Sequence, residues 1–125
     1  MRFLVDTHAM LLALGEPSAL SPAVRKAISD PANLIVISSA SLSECAVNAS
    51  IGKLDLPEDF FESIPEAGYE VMPIRISHLN VYRTLPMHHR DPFDRMLVAQ
   101  ARAEDLTLIS RDPEIAKYDV QIQAC

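Results

Sequence analysis

DPFDRMLVAQARAEDLTLISRD, residues 91–112, is the stretch that decides the fold. Asp91 is a strong N-cap and Pro92 suits the first helical position, so a helix is expected from Pro92 to about Glu104. Just after it, Thr107-Leu108-Ile109 forms a short apolar run that ends at Ser110-Arg111-Asp112. A strand without polar alternation is buried on both faces, which is the habit of a parallel sheet covered by helices.

The same unit repeats outward from this stretch. Phe3-Leu4-Val5 reads as a first strand, followed by a short helix from His8 to Leu14 that Gly15 and Pro17 end. Ser21-Pro22 opens a helix to about Ser29, and Leu34 to Ile37 is the second strand. A helix from Ser41 to about Ile51 stops at Gly52. Pro57 to Ala67 is a helix, Tyr69 to Met72 a strand, Ser77 to Leu85 a helix, and Val120 to Ile122 the last strand. Strands alternating with helices predict a three-layer α/β/α fold around a central parallel sheet. With 125 residues and neither repeats nor a linker, the expectation is one domain over 1–125.

Apolar residues at 49% and charged residues at 22% are ordinary for a globular protein. No apolar run approaches the roughly 18 residues that a membrane span needs, and Asp6 and His8 interrupt what would be a signal core. Cys45 and Cys125 have no framework spacing, which favours a reducing, cytoplasmic setting. The net charge of −6 weighs against nucleic-acid binding, since affinity for phosphates comes from cations. That objection weakens if the acids cluster around a divalent ion.

Four acids fall where a parallel sheet would gather them. Asp6 ends the first strand, Glu44 follows the second, Asp94 opens the long helix and Asp112 lies past the strand 107–109. Three have structural alternatives: Ser41-x-x-Glu44 is a capping box, Asp91-Pro92-x-Asp94 a capped first turn, and Asp112-Pro113 a further cap. Asp6 sits between FLV and AMLLAL, where an ionised group is expensive unless it is paired with a distant arginine or bound to metal. Parallel strands would bring all four to the carboxyl edge of the sheet, where ligands gather. Two carboxylates about 5 Å apart repel by roughly 3 kcal/mol at an effective dielectric near 20. Such a cluster takes up protons or a hard cation, and oxygen-only ligands suit Mg²⁺ or Mn²⁺ rather than zinc. His88-His89 is assigned to the loop before the long helix, because neighbouring side chains on a regular element point apart and rarely share an ion.

DTHAMLLAL (6–14), SSASLSECA (38–46), GKLDLP (52–57), LPMHHRDPFDRMLVAQA (85–101) and LTLISRD (106–112) together resemble PIN-domain proteins of the VapC type, over nearly the whole chain. The resemblance implies a Mg²⁺- or Mn²⁺-dependent endoribonuclease, the toxin of a type II toxin–antitoxin pair. It implies Asp6, Glu44, Asp94 and Asp112 as catalytic metal ligands. Water would be the nucleophile, leaving 5′-phosphate and 3′-hydroxyl ends. Its partners would be RNA, a cognate antitoxin and a second copy of the chain, and no membrane. Arg90, Arg95 and Arg111 are candidate phosphate contacts, or else solvated partners of neighbouring acids. Asp91, Thr7 and Ser110 are candidate supports around the metal. The helix faces carrying Met96, Leu97, Ala99 and Ala101, and Val47 and Ile51, are core or dimer surface. Ser43 stands where similar proteins usually carry tryptophan, and Asn48 where a basic residue is common. Both lie off the acid set.

Rival readings are weaker. A haloacid-dehalogenase-type phosphotransferase needs a second aspartate two positions after Asp6, and that residue is His8. A phosphoreceiver needs an aspartate ending a central strand, but Leu34–Ile37 runs into Ser38-Ser39. An inert PIN-fold interaction module and a housekeeping RNA-processing or DNA-repair nuclease remain as alternatives. Retention of all four acids speaks against the first. The absence of additional segments speaks against the second.

Overall fold

The computed structural model describes all of residues 1–125. Its strands are β1 (Arg2–Val5), β2 (Leu34–Ser38), β3 (Glu70–Met72), β4 (Thr107–Ile109) and β5 (Ile122–Gln123). They form one sheet in the order β3-β2-β1-β4-β5, and every pairing is parallel. The α-helices are α1 (Thr7–Gly15), α2 (Pro22–Ser29), α3 (Ser39–Ser50), α4 (Phe60–Glu66), α5 (Ile76–Tyr82) and α6 (Pro92–Glu104).

Successive strand residues point to opposite faces, and here both faces are apolar. Phe3, Val5, Ile35, Ile37 and Ile109 pack with Met10, Val24, Cys45 and Ile64 from α1 to α4. Leu4, Val36 and Leu108 face the other way, against Leu97, Val98 and Ala101 of α6. Each such fully buried aliphatic side chain contributes about 1.5–3 kcal/mol. The two layers follow from chain direction. From β1 the chain steps outward to β2 and then β3 through α1 to α4 on one face. It then reverses, crossing back to β4 through α5 and α6 on the other. Right-handed crossovers require that a reversal change faces. The strand order therefore splits beside β1, and the crevice at the carboxyl ends of β1 and β4 is where such a sheet binds ligands.

The helix α6 and the strand β4 have the predicted bounds. Elsewhere the ends move for local reasons. The helix after β2 starts at Ser39, two positions before the expected start, because Ser38 both ends the strand and caps the helix, its Oγ accepting from the Ala40 N–H at 3.0 Å. Ser41 is therefore inside the first turn, and the expected Ser41–Glu44 capping box does not form. Residues 57–59 make a turn ahead of α4, and 83–85 a turn after α5, each held by i→i+3 bonds. Asp112-Pro113 leads through a turn into a short 3₁₀ segment, Ile115–Lys117, instead of an α-helix. The last strand is a two-residue pairing, Ile122–Gln123, opposite Leu108 and Ile109. No helix is long and apolar enough to cross a membrane.

Candidate functional site

Val5 is aligned with both Ile37 and Ile109, so the residues that follow these strands come level at one edge. Asp6 comes first, its backbone N–H donating to the Ile109 carbonyl at 3.0 Å. No loop separates β1 from α1, so Asp6 also becomes the helix N-cap, its Oδ1 accepting from the Ala9 N–H at 2.8 Å. Glu44 lies in the second turn of α3, where its Oε1 accepts from the Thr7 hydroxyl at 2.7 Å. Asp94 occupies the first turn of α6. Asp112 follows β4 and turns back on the chain, its Oδ1 accepting from the Glu114 N–H at 2.9 Å. All four carboxylates line one cleft of about 330 Å³, together with Thr7, Asn48 and Arg111.

Crowding and burial shape their titration. Burial pushes Asp6 upward, although Ser110 and the Ala9 N–H pull against it. Burial also raises Glu44, with Asp91 and Asp6 adding to the effect and Thr7 opposing it. Asp94 is pushed up to about 7, first by burial and then by the charges of Asp91 and Glu44. Asp112 goes the other way: burial opposes its ionisation, but hydrogen bonds from His89 and the Glu114 N–H outweigh it. No lysine or arginine forms an ion pair with any of the four. Asp6, Glu44 and Asp94, buried along one cleft with no lysine or arginine paired to them, disfavour their own ionisation, and a divalent cation suits such a set.

The sequence reading missed His89. Its Nε2 lies 2.8 Å from Asp112 Oδ2 and 3.1 Å from Asp94 Oδ2, and the ligand atoms of the three residues lie within 4.8 Å of one another. Adjacent side chains are expected to diverge, and these do: His88 packs edge-on against Tyr118, away from the partners of His89. The usable signal was the position of His89 just ahead of the cap Asp91, which pins that loop to the mouth of α6.

The remaining candidates divide. Asp91 caps α6, its Oδ1 accepting from the Phe93 and Asp94 N–H groups at 2.8 and 3.4 Å. Ser110 is buried and its Oγ accepts from the Asp112 N–H at 3.0 Å. Arg90 is exposed and is not among the residues that line the cleft. Arg111 lines the cleft while tying down the chain end, donating to the carbonyls of Ala19 and Cys125 at 3.1 and 3.2 Å. Arg95 is not brought to the site. It is buried, donates to the Leu85 carbonyl at 3.3 Å, and stacks 4.9 Å from the Tyr82 ring centre, so its guanidinium is committed to the core. Leu97, Ala99 and Ala101 are likewise core, while Val47 and Ile51 are exposed.

A shallow polar cleft holding four acids at the switch point of a parallel sheet is a possible acidic metal-binding cluster. Comparison with solved structures places the whole architecture. The chain superposes on VapBC2 from Rickettsia felis, crystallised with a DNA fragment from its promoter, with a TM-score of 0.74 at 18% identity, covering 100% of this chain and 99% of that one. It matches DNA-bound VapBC from Salmonella typhimurium with a TM-score of 0.77 at 16% identity, covering 99% and 98%. It also matches VapBC-5 from Mycobacterium tuberculosis, described as a member of the VapBC family of toxin–antitoxin systems, with a TM-score of 0.64 at 17% identity, covering 98% and 96%. No curated protein sequence matches the chain. The PIN-domain family model matches residues 3–121, and with that match and this fold the chain belongs to the PIN-domain family.

Proposed function

We propose that the chain, as one PIN domain over 1–125, is a Mg²⁺- or Mn²⁺-dependent endoribonuclease and the toxin half of a cytoplasmic toxin–antitoxin pair. One observation carries the reading: Asp6, Glu44, Asp94 and Asp112 line one cleft with no lysine or arginine paired to them. Asp6, Glu44 and Asp94 would hold the ion, with Asp112 directly or through water. When bound, it supplies an acidified water and offsets charge on the scissile phosphate. Thr7 orients the Glu44 carboxylate, and Ser110 holds the turn that presents Asp112. Arg111 in the cleft, and the exposed Arg90 one residue from His89, would offer positive charge to a phosphate chain that the acids otherwise repel. Nuclease chemistry fits the PIN family, and the VapBC complexes among the structural neighbours support an antitoxin as partner. Exposed Val47 on α3 and Ile51 just past its end suit pairing with a second copy.

The test is cleavage by purified, partner-free protein. RNA should be cut with Mg²⁺ or Mn²⁺ and not in EDTA, leaving 5′-phosphate and 3′-hydroxyl ends. Cleavage that persists in EDTA, or 2′,3′-cyclic phosphate products, would overturn the reading.

A further inference from the structure

His89 does not line the cleft; it stands behind two of the acids that do. Its ring is held at both nitrogens. Nδ1 accepts from the Asp91 backbone N–H at 3.0 Å, and a nitrogen that accepts cannot carry the proton, so the proton of the neutral ring belongs to Nε2. From there it reaches Asp112 Oδ2 at 2.8 Å and Asp94 Oδ2 at 3.1 Å. This tautomer has no lone pair at Nε2 to offer a cation. The ring therefore acts on the acids as a donor and not as a ligand beside them. Asp94 and Asp112 come from a helix start and a strand end that are far apart in sequence, and each repels the other. A single N–H shared between one oxygen of each draws the two together. The backbone of Asp91, whose side chain caps α6, sets the direction of that N–H.

We propose that His89 is a positioning residue of the metal centre, holding Asp94 and Asp112 from behind at the separation that a divalent cation in the cleft requires. The inference rests on the reading of the four acids as a metal site and deepens it. Carboxylates and other ligands oriented by an outer hydrogen bond lose about 10- to 100-fold in metal affinity when that bond is removed.

Calorimetric titration of the purified chain with Mn²⁺ tests it without any activity measurement. His89→Phe keeps a ring and removes both nitrogens, whereas His89→Gln keeps an N–H at the distance of Nε2. Expected results are tight binding by the parent, binding about 10- to 100-fold weaker in His89→Phe, and near-parental binding in His89→Gln. Melts with and without Mn²⁺ separate positioning from plain support. A supporting role lowers both melts equally, and a positioning role shrinks the Mn²⁺-induced rise. Should His89→Phe not fold, His89→Asn replaces it, its amide too short to reach the acids. Parental affinity in His89→Phe, or loss in His89→Gln as deep as in His89→Phe, overturns the inference and leaves the metal site standing. No Mn²⁺ binding by the parent overturns the metal site itself, and the inference with it.

Discussion

Helix α6 has a histidine–carboxylate cluster at each end, and the two are built on the same plan with opposite charge balance. At its C-terminal end His78, fully buried, accepts from the Arg75 N–H at 2.9 Å through Nδ1 and meets Glu104 Oε1 at 2.8 Å through Nε2. At its N-terminal end His89 does the same with the Asp91 N–H and with Asp94 and Asp112. His78 meets one acid, Glu104, whose carboxylate has Arg75 Nη1 at 3.3 Å and whose backbone carbonyl accepts from Arg2 at 3.2 Å. The hydrogen bond from His78 is the main influence lowering Glu104, and the nearby cations add to it. Around His89 the acids outnumber the cations, and Asp94 rises to about 7. The first cluster is satisfied by the chain itself. The second has no lysine or arginine paired with its acids, and His89 is the one basic side chain bonded to Asp94 and Asp112. A histidine touching a carboxylate is therefore uninformative; the charge left over around it separates a brace from a site.

The largest contrast should appear in catalysis. Asp94→Asn is expected to slow RNA cleavage by about a thousandfold, equivalent to about 4 kcal/mol at the transition state. Glu104→Ala should leave the rate per folded molecule essentially unchanged. A comparable loss in both variants, measured as initial rates at saturating Mg²⁺, would erase the distinction between the two ends.

Stability should move in opposite directions. Asp6→Asn keeps an N-cap on α1 while removing one charge from a crowded, buried cluster. It should raise the melting temperature in EDTA by several degrees, on the order of 1–3 kcal/mol, and remove most of the Mg²⁺-induced rise. Glu104→Ala leaves the buried His78 N–H without its acceptor and should lower the melt by a similar amount. A drop in Asp6→Asn, with the Mg²⁺ response intact, would mean that Asp6 is a structural residue.

The smallest effect is in pH dependence. Asp94 titrates higher when folded than its ordinary 3.8, so the folded state holds an extra proton between those values. Its contribution is fully present below pH 3.8 and is lost as pH rises through about 7. Glu104 is lowered, so its contribution is present above its ordinary value and is lost as pH falls through the folded one. In EDTA the melting temperature should therefore drift downward by a few degrees from pH 5 to pH 8. Asp94→Asn should flatten that slope, and Glu104→Ala should alter only the acid side. A slope that survives in Asp94→Asn would assign it to another group.

Legibility followed the range of the forces involved. The bounds of α6 were readable because Asp91-Pro92 is a local start signal, and β4 because a three-residue apolar run has one way to be buried in such a sheet. The meeting of Asp6 and Asp112 followed from strand direction, since parallel strands send their carboxyl ends to one edge, whereas Glu44 and Asp94 reach it from the early turns of α3 and α6. The start of α3 was not readable, because Ser38 serves strand and helix at once and Ser41 offered an equally good cap. Arg95 reads from the sequence as a phosphate contact or a solvated partner of an acid, and is neither: Tyr82 and the Leu85 carbonyl surround its buried guanidinium. The separation between His89 and Asp112 is 23 residues, and no local pattern encodes a contact of that span. The sequence alone determined which elements form and which acids share an edge, because propensity, capping and strand direction act along the chain. Only the tertiary structure decided which cation meets which acid, because charges pair through space and the fold leaves those at the mouth of α6 unmatched.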